Sequence, residues 1–196
     1  MRTRSLDKQE LVKQKAVEMM AAKGFESFSM NKLAKACNIS VATLYIYYKD
    51  KDDLIIKIGI EEGQRMTDFI IKDFDPELPF EQGLRFQWQK RFDYTMNNAL
   101  YGLFFEQLRT SSYHDKVFSS LHGNFKESMG KFVKGAVLRG EIDPVSVEVY
   151  WAVAYGPLYT LIRFAHEGRS IGGRPFTIDE QTLWQAFDLV VKALKK

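Results

Sequence analysis

With Cys37 as its lone cysteine, the chain can form neither an intramolecular disulfide nor a thiolate metal cluster. Its three histidines, His114, His122 and His166, are scattered without the spacing of a zinc-ligand set, so no metal site is expected. Catalytic machinery is equally short. No nucleophile–base–acid grouping can be assembled from these residues, and no glycine-rich phosphate cradle appears. Glu61-Glu62 and Asp52-Asp53 are adjacent, and adjacent helical residues do not face each other. The expectation is a protein that is not an enzyme and carries no cofactor. Long apolar runs are missing too. The longest uncharged stretch, 149–162, contains Pro157 and falls short of the roughly 20 residues a membrane helix needs. The opening run MRTRSLDKQELVKQK has no apolar core of the export-signal kind. A cytoplasmic protein with no membrane association is therefore expected.

What is present is an ordinary soluble composition, 45% hydrophobic and 27% charged, in a chain long enough to bury a core. The net charge of +3 is unevenly divided. Residues 1–51 hold ten Lys and Arg against five Asp and Glu, and the remainder holds eighteen against twenty. A basic head joined to a slightly acidic body suits a head that meets a polyanion, and equally a head with a solvated basic face.

No segment alternates as strands do, and helical signals run throughout. Ser5 or Asp7 can cap a first helix whose apolar face carries Val12, Ala16, Met19 and Met20, and Gly24 ends it. Ser29 caps a second short helix bearing Met30, Leu33, Ala34 and Cys37, and Ser40 caps a third from Val41 to about Tyr47. A fourth runs from Lys51 to about residue 72. Further helices are expected near 80–97, 99–111, 114–139, 144–166 and 178–195, with Pro157 kinking its helix near Val153. The fold class is all-α: a three-helix head over 1–50, followed by a larger helical body over 51–196.

From Met30 to Tyr47 two short helices are separated by a tight turn at Asn38-Ile39-Ser40, the spacing of a helix-turn-helix. The second helix of such a pair enters a DNA major groove. The run FSMNKLAKACNISVATLYIYYKDKDDLI resembles the DNA-binding signature of the TetR family of regulators, with Thr43-Leu44-Tyr45, then Tyr48, then Lys51 in the family's positions. Asn38 stands where glycine is common, and Val41-Ala42 replaces a more usual polar or glycine pair, so base reading there would be apolar, as against a thymine methyl.

The resemblance implies double-stranded DNA as partner, with Ser29, Lys32, Tyr45 and Lys51 on phosphates. It implies Val41, Ala42, Thr43 and Tyr47 at base edges or the groove wall. Arg2 and Arg4 would form a flexible arm that adds contacts, and Tyr48 would be buried. For Tyr45 a place in the core at the domain junction is the alternative. In the resembled family the body encloses an effector and forms a homodimer. Here Trp88, Phe92, Met96, Phe104, Phe125, Met129, Trp151 and Tyr155 are candidates to line a site for a small hydrophobic or aromatic effector, with Arg91, Gln107 or Arg109 as polar contacts. For any single one of these aromatics, a place in a well-packed helical core is the default reading. Stripes of Val147, Trp151, Ala154, Tyr155, Leu158 and Ile162, and of Leu183, Phe187, Val190, Val191 and Leu194, are candidate dimer faces. The implied function is a ligand-released repressor of a palindromic operator. A helix-turn-helix regulator controlled by a protein partner, without a small ligand, is the alternative.

Overall fold

A computed structural model describes residues 2–121 and 123–196, with side chains from Lys8 onward; His122 lies outside the described residues. Among them the chain forms eleven α-helices and no strand: α1 (Arg2–Lys23), α2 (Met30–Ala36), α3 (Val41–Tyr45), α4 (Lys51–Ile71), α5 (Phe80–Asn97), α6 (Ala99–Arg109), α7 (His114–Phe118), α8 (Asn124–Leu138), α9 (Val147–Ala154), α10 (Gly156–Glu167) and α11 (Glu180–Leu194).

The chain divides into two compact units. The first takes the chain up to Met66 together with the segment from Asn98 through α7; the second takes Thr67–Asn97 and Gly123–Lys196. The boundary drawn at residue 50 from the sequence thus lies inside the first unit. The first turns of α4, and α6 and α7, close over the three head helices, because Leu54, Ile55, Phe104, Leu108 and Val117 share one buried cluster with Val12, Met20, Leu33 and Leu44.

In the second unit α5 packs against α8, α10 and α11. Gly83 lets α5 approach α8 closely, since a Cβ there would overlap the Phe132 ring. The kink expected from Pro157 is a break between α9 and α10, at Tyr155. The helix expected over 114–139 is two helices, α7 and α8. Between them Ser120 Oγ donates to the Lys116 carbonyl at 3.1 Å, the local bonding by which small polar residues compete with a helical ladder.

The stripes expected as dimer faces lie mostly inward. Ala154, Tyr155, Leu158, Ile162, Leu183, Phe187, Val190 and Val191 form this unit's own core. Apolar side chains left exposed in this unit include Val145, Val147, Val149, Trp151 and Leu189. Periodicity reports that a face is buried, not what buries it.

Candidate functional site

The first unit builds its outward face from two capped short helices. Ser29 Oγ accepts from Lys32 N–H at 3.3 Å and caps α2; Ser40 Oγ accepts from Thr43 N–H at 3.2 Å and caps α3. Between them Asn38 takes φ of 53°, the left-handed turn that asparagine tolerates. Leu33, Ala34 and Leu44 are buried at the crossing. Full burial of Leu44 contributes about 1.5–3 kcal/mol and fixes which side of α3 turns outward.

That outward side holds exposed Ala42, Tyr45 and Ile46, the last two at 53% and 76% exposure. Tyr45 is thus no core residue of this unit. Thr43 is half-buried, its hydroxyl 2.9 Å from that of Ser40. Val41 and Tyr47 pack partly against the core, and Tyr48 is buried. Ile46 was not singled out from the sequence, although positions 42, 45 and 46 share one helical face by spacing.

Lys32 is exposed and donates to the Ser27 carbonyl at 2.7 Å. Lys51 opens α4 beside a cleft of about 490 Å³ lined by Phe25, Gln107, Ser112 and Tyr113 among others. Arg2 and Arg4 lie in the first turn of α1 rather than on a separate arm, and their side chains are outside the described ones.

Tyr113 ties this cleft to α4. Its hydroxyl donates to the Asp52 carboxylate at 2.7 Å, next to Lys51. Burial, then the bond to Asp52, pushes the Tyr113 phenol up to about 12. The folded value lies above the unfolded one of about 10, so this contribution is complete below pH 10 and is lost as pH rises towards 12. A Tyr113→Phe variant should therefore lose less stability than the parent between pH 10 and 12, read as denaturant midpoints. Parallel curves would remove Tyr113 from this role.

The effector candidates fall into separate places. Phe104 sits edge-on to Phe25, 5.6 Å between centroids, in the core of the first unit. Gln107 in the same unit donates to the Ala21 carbonyl at 2.8 Å, and Arg109 pairs with Glu106 at the surface. The other candidates belong to the second unit. Trp88 is fully buried, Met96 lies at its surface, and Phe92 and Met129 are half-buried. Phe125, Trp151 and Tyr155 are drawn together by Arg91, whose guanidinium lies 5.5, 5.3 and 4.2 Å from their ring centroids.

Among the described residues no group of three or more His, Cys, Asp or Glu is placed to hold a metal ion. No helix of these is long and apolar enough to cross a membrane.

Residues 14–58 match the N-terminal domain of the bacterial regulatory proteins of the tetR family. This segment is therefore similar to the DNA-binding domain of the TetR family. The matched segment contains both caps, the turn at Asn38 and the whole outward face of α3. A TetR-family transcription regulator from Marinobacter aquaeolei superposes with a TM-score of 0.84 over 100% of both chains at 24% identity, which extends the shared fold to both units. An HTH-type transcriptional regulator of Haemophilus influenzae is 32% identical over 80 residues, 41% of this chain. The chain matches 43% of that relative's length. The transcriptional regulator FadR of Bacillus subtilis, solved in complex with stearoyl-CoA, superposes with a TM-score of 0.71 over 94% of this chain and 96% of its own, at 17% identity. These TetR-type relatives are regulators rather than enzymes.

Proposed function

We propose that the protein is a cytoplasmic transcriptional repressor that binds a palindromic operator as a homodimer and is released by a small, largely hydrophobic effector held in its second unit. The observation that carries the DNA part is the outward face of α3, where Ala42, Tyr45 and Ile46 stand exposed above the buried Leu44. Ala42 and Ile46 suit apolar contact with base edges; Tyr45, Lys32 and Lys51 suit phosphates. Ser29, Val41, Thr43 and Tyr47 shape and hold the helix pair from the edges of the same surface. Phosphate contacts supply affinity and register, and base-edge contacts supply specificity.

One head reads a short sequence. Two heads spaced about 34–36 Å apart would read a palindrome in successive major grooves. The exposed Val147, Val149 and Leu189 support pairing through the second unit. The stearoyl-CoA bound by the FadR neighbour supports a hydrophobic effector. Because α4 supplies residues to both units, it is the natural lever by which an effector that prefers one arrangement alters DNA affinity.

The test is anisotropy binding to fragments of the protein's own upstream DNA at two salt concentrations. One fragment should bind tightly, with a log–log salt slope of about −0.9 per phosphate contacted. Tyr45→Ala/Lys51→Ala should lower affinity about 10- to 100-fold, as expected for losing two polar phosphate contacts, one of them charged. It should also make the slope shallower by about one. Equal, weak binding to every fragment would overturn the repressor reading and favour control through a protein partner.

A further inference from the structure

Arg91 of α5 is 1% exposed, and no carboxylate among the described residues forms an ion pair with it. Arginine cannot shed its charge inside a protein. The side chain has five N–H donors. Nη1 donates to the Tyr159 hydroxyl at 3.1 Å, Nη2 donates to Gln87 Oε1 at 3.4 Å, and Nε–H has no hydrogen-bond partner among the described residues. The rings of Tyr155, Trp151 and Phe125 close around the guanidinium. Five side chains from α5, α8, α9, α10 and the α9–α10 break therefore converge on one cation, with aromatic faces standing where a counter-charge would normally be.

Aromatic faces offset part of the desolvation of a buried cation, but they cannot use its forked donors. The cage is also uneven. Tyr155 is buried, whereas Trp151 is 43% exposed and Phe125 is half-buried, so these two rings border solvent. Phe92 and Met129 are likewise half-buried members of the helices that carry the cage.

We infer that Arg91 is the receptor for the anionic end of an effector whose hydrocarbon body lies among the surrounding apolar side chains, an inference that rests on the effector reading above and specifies its chemical class. The guanidinium takes the anion through paired N–H bonds; Trp151 and Phe125 yield to the chain. An uncharged hydrocarbon of the same length gains the apolar contacts but leaves the cation unpaired.

The test compares decanoate, 1-decanol and decanoyl-coenzyme A by tryptophan fluorescence titration of the full chain, beside Arg91→Met and Tyr159→Phe. Decanoate should bind at least about 30-fold more tightly than decanol, the scale on which a buried hydrogen-bonded charge pair discriminates. Arg91→Met should erase that preference, and Tyr159→Phe, which leaves the charge, should keep it. If only the coenzyme A conjugate shows the Arg91 dependence, the anion is a phosphate rather than a carboxylate. Equal binding of decanoate and decanol, readable in the parent without any variant, overturns the inference and leaves a neutral hydrophobic effector. Binding of none of the three overturns it together with the effector reading, while DNA binding, measured separately, stands or falls by itself.

Discussion

Replacing Lys13 with methionine should destabilise the first unit by about 3–5 kcal/mol, because it strands a buried carboxylate. Glu62 of α4 is completely buried, and Lys13 Nζ of α1 lies 3.1 Å from it at 3% side-chain exposure. The same ammonium reaches Glu10 and Glu61, each at 2.9 Å. Burial works against the charge of Lys13, but its bonds to Glu61, Glu10 and Glu62 outweigh it and hold the pKa well above the ordinary lysine value. Without Lys13, the cation left beside Glu62 among the described residues is Arg65 at 3.4 Å, which is half exposed and follows it by one helical turn. Some of the loss is recovered there, placing the expected cost towards the lower end of the range. The double variant Lys13→Met/Glu62→Leu should recover most of it, since a well-packed apolar pair commonly matches a buried ion pair. Denaturant unfolding of parent, single and double variants is the measurement. A single variant within about 1 kcal/mol of the parent, the level of an exposed pair, would mean that the pair is screened in solution.

The head was legible in the sequence for reasons internal to short segments. Ser29 and Ser40 stand three residues before Lys32 and Thr43, whose N–H groups they accept, and Asn38 occupies the left-handed turn; each signal is local. Lys13 was not read as buried, although residues 13, 16, 17 and 20 share a helical face and all four are buried. Charged residues are surface residues by default, and beside the nearby Glu10 it takes two carboxylates of α4, Glu61 at 48 positions away and the buried Glu62, to permit this one inside. Arg91 stands among the candidate polar contacts of an effector, but its burial is not legible locally: Gln87 is one helical turn away, while the hydroxyl partner, Tyr159, is 68 residues distant. Phe104 illustrates the other limit. Its aromatic character marks it as buried, yet only the packing of α6 against α1 decides that it is buried in the first unit, beneath the helix-turn-helix, rather than with the cage around Arg91.

Trp88→Ala should be the most damaging single change in the second unit, costing about 3–5 kcal/mol in the range for emptied aromatic core sites. Trp88 is fully buried, stands edge-on to Phe187 with 5.4 Å between centroids, and donates from Nε1 to the Ala154 carbonyl at 2.8 Å. That carbonyl belongs to the last residue of α9, where Pro157 in the next turn interrupts the helical run. The indole therefore fills volume and satisfies backbone at a helix break, two roles that separate variants can divide. Trp88→Phe keeps most of the volume and leaves the carbonyl short of a partner, a loss of about 1–3 kcal/mol. Trp151→Ala removes a ring that is 43% exposed and should change stability by about 1 kcal/mol or less, and because that ring has to yield to the chain, decanoate should bind at least as tightly as to the parent. Thermal melting and fluorescence titration on the three variants therefore separate a core tryptophan from one that can yield to a ligand. Should Trp88→Ala melt with the parent and lose binding alone, Trp88 would line the effector site rather than support it, and the hydrocarbon body would have to reach inward along α5 instead of outward past Trp151.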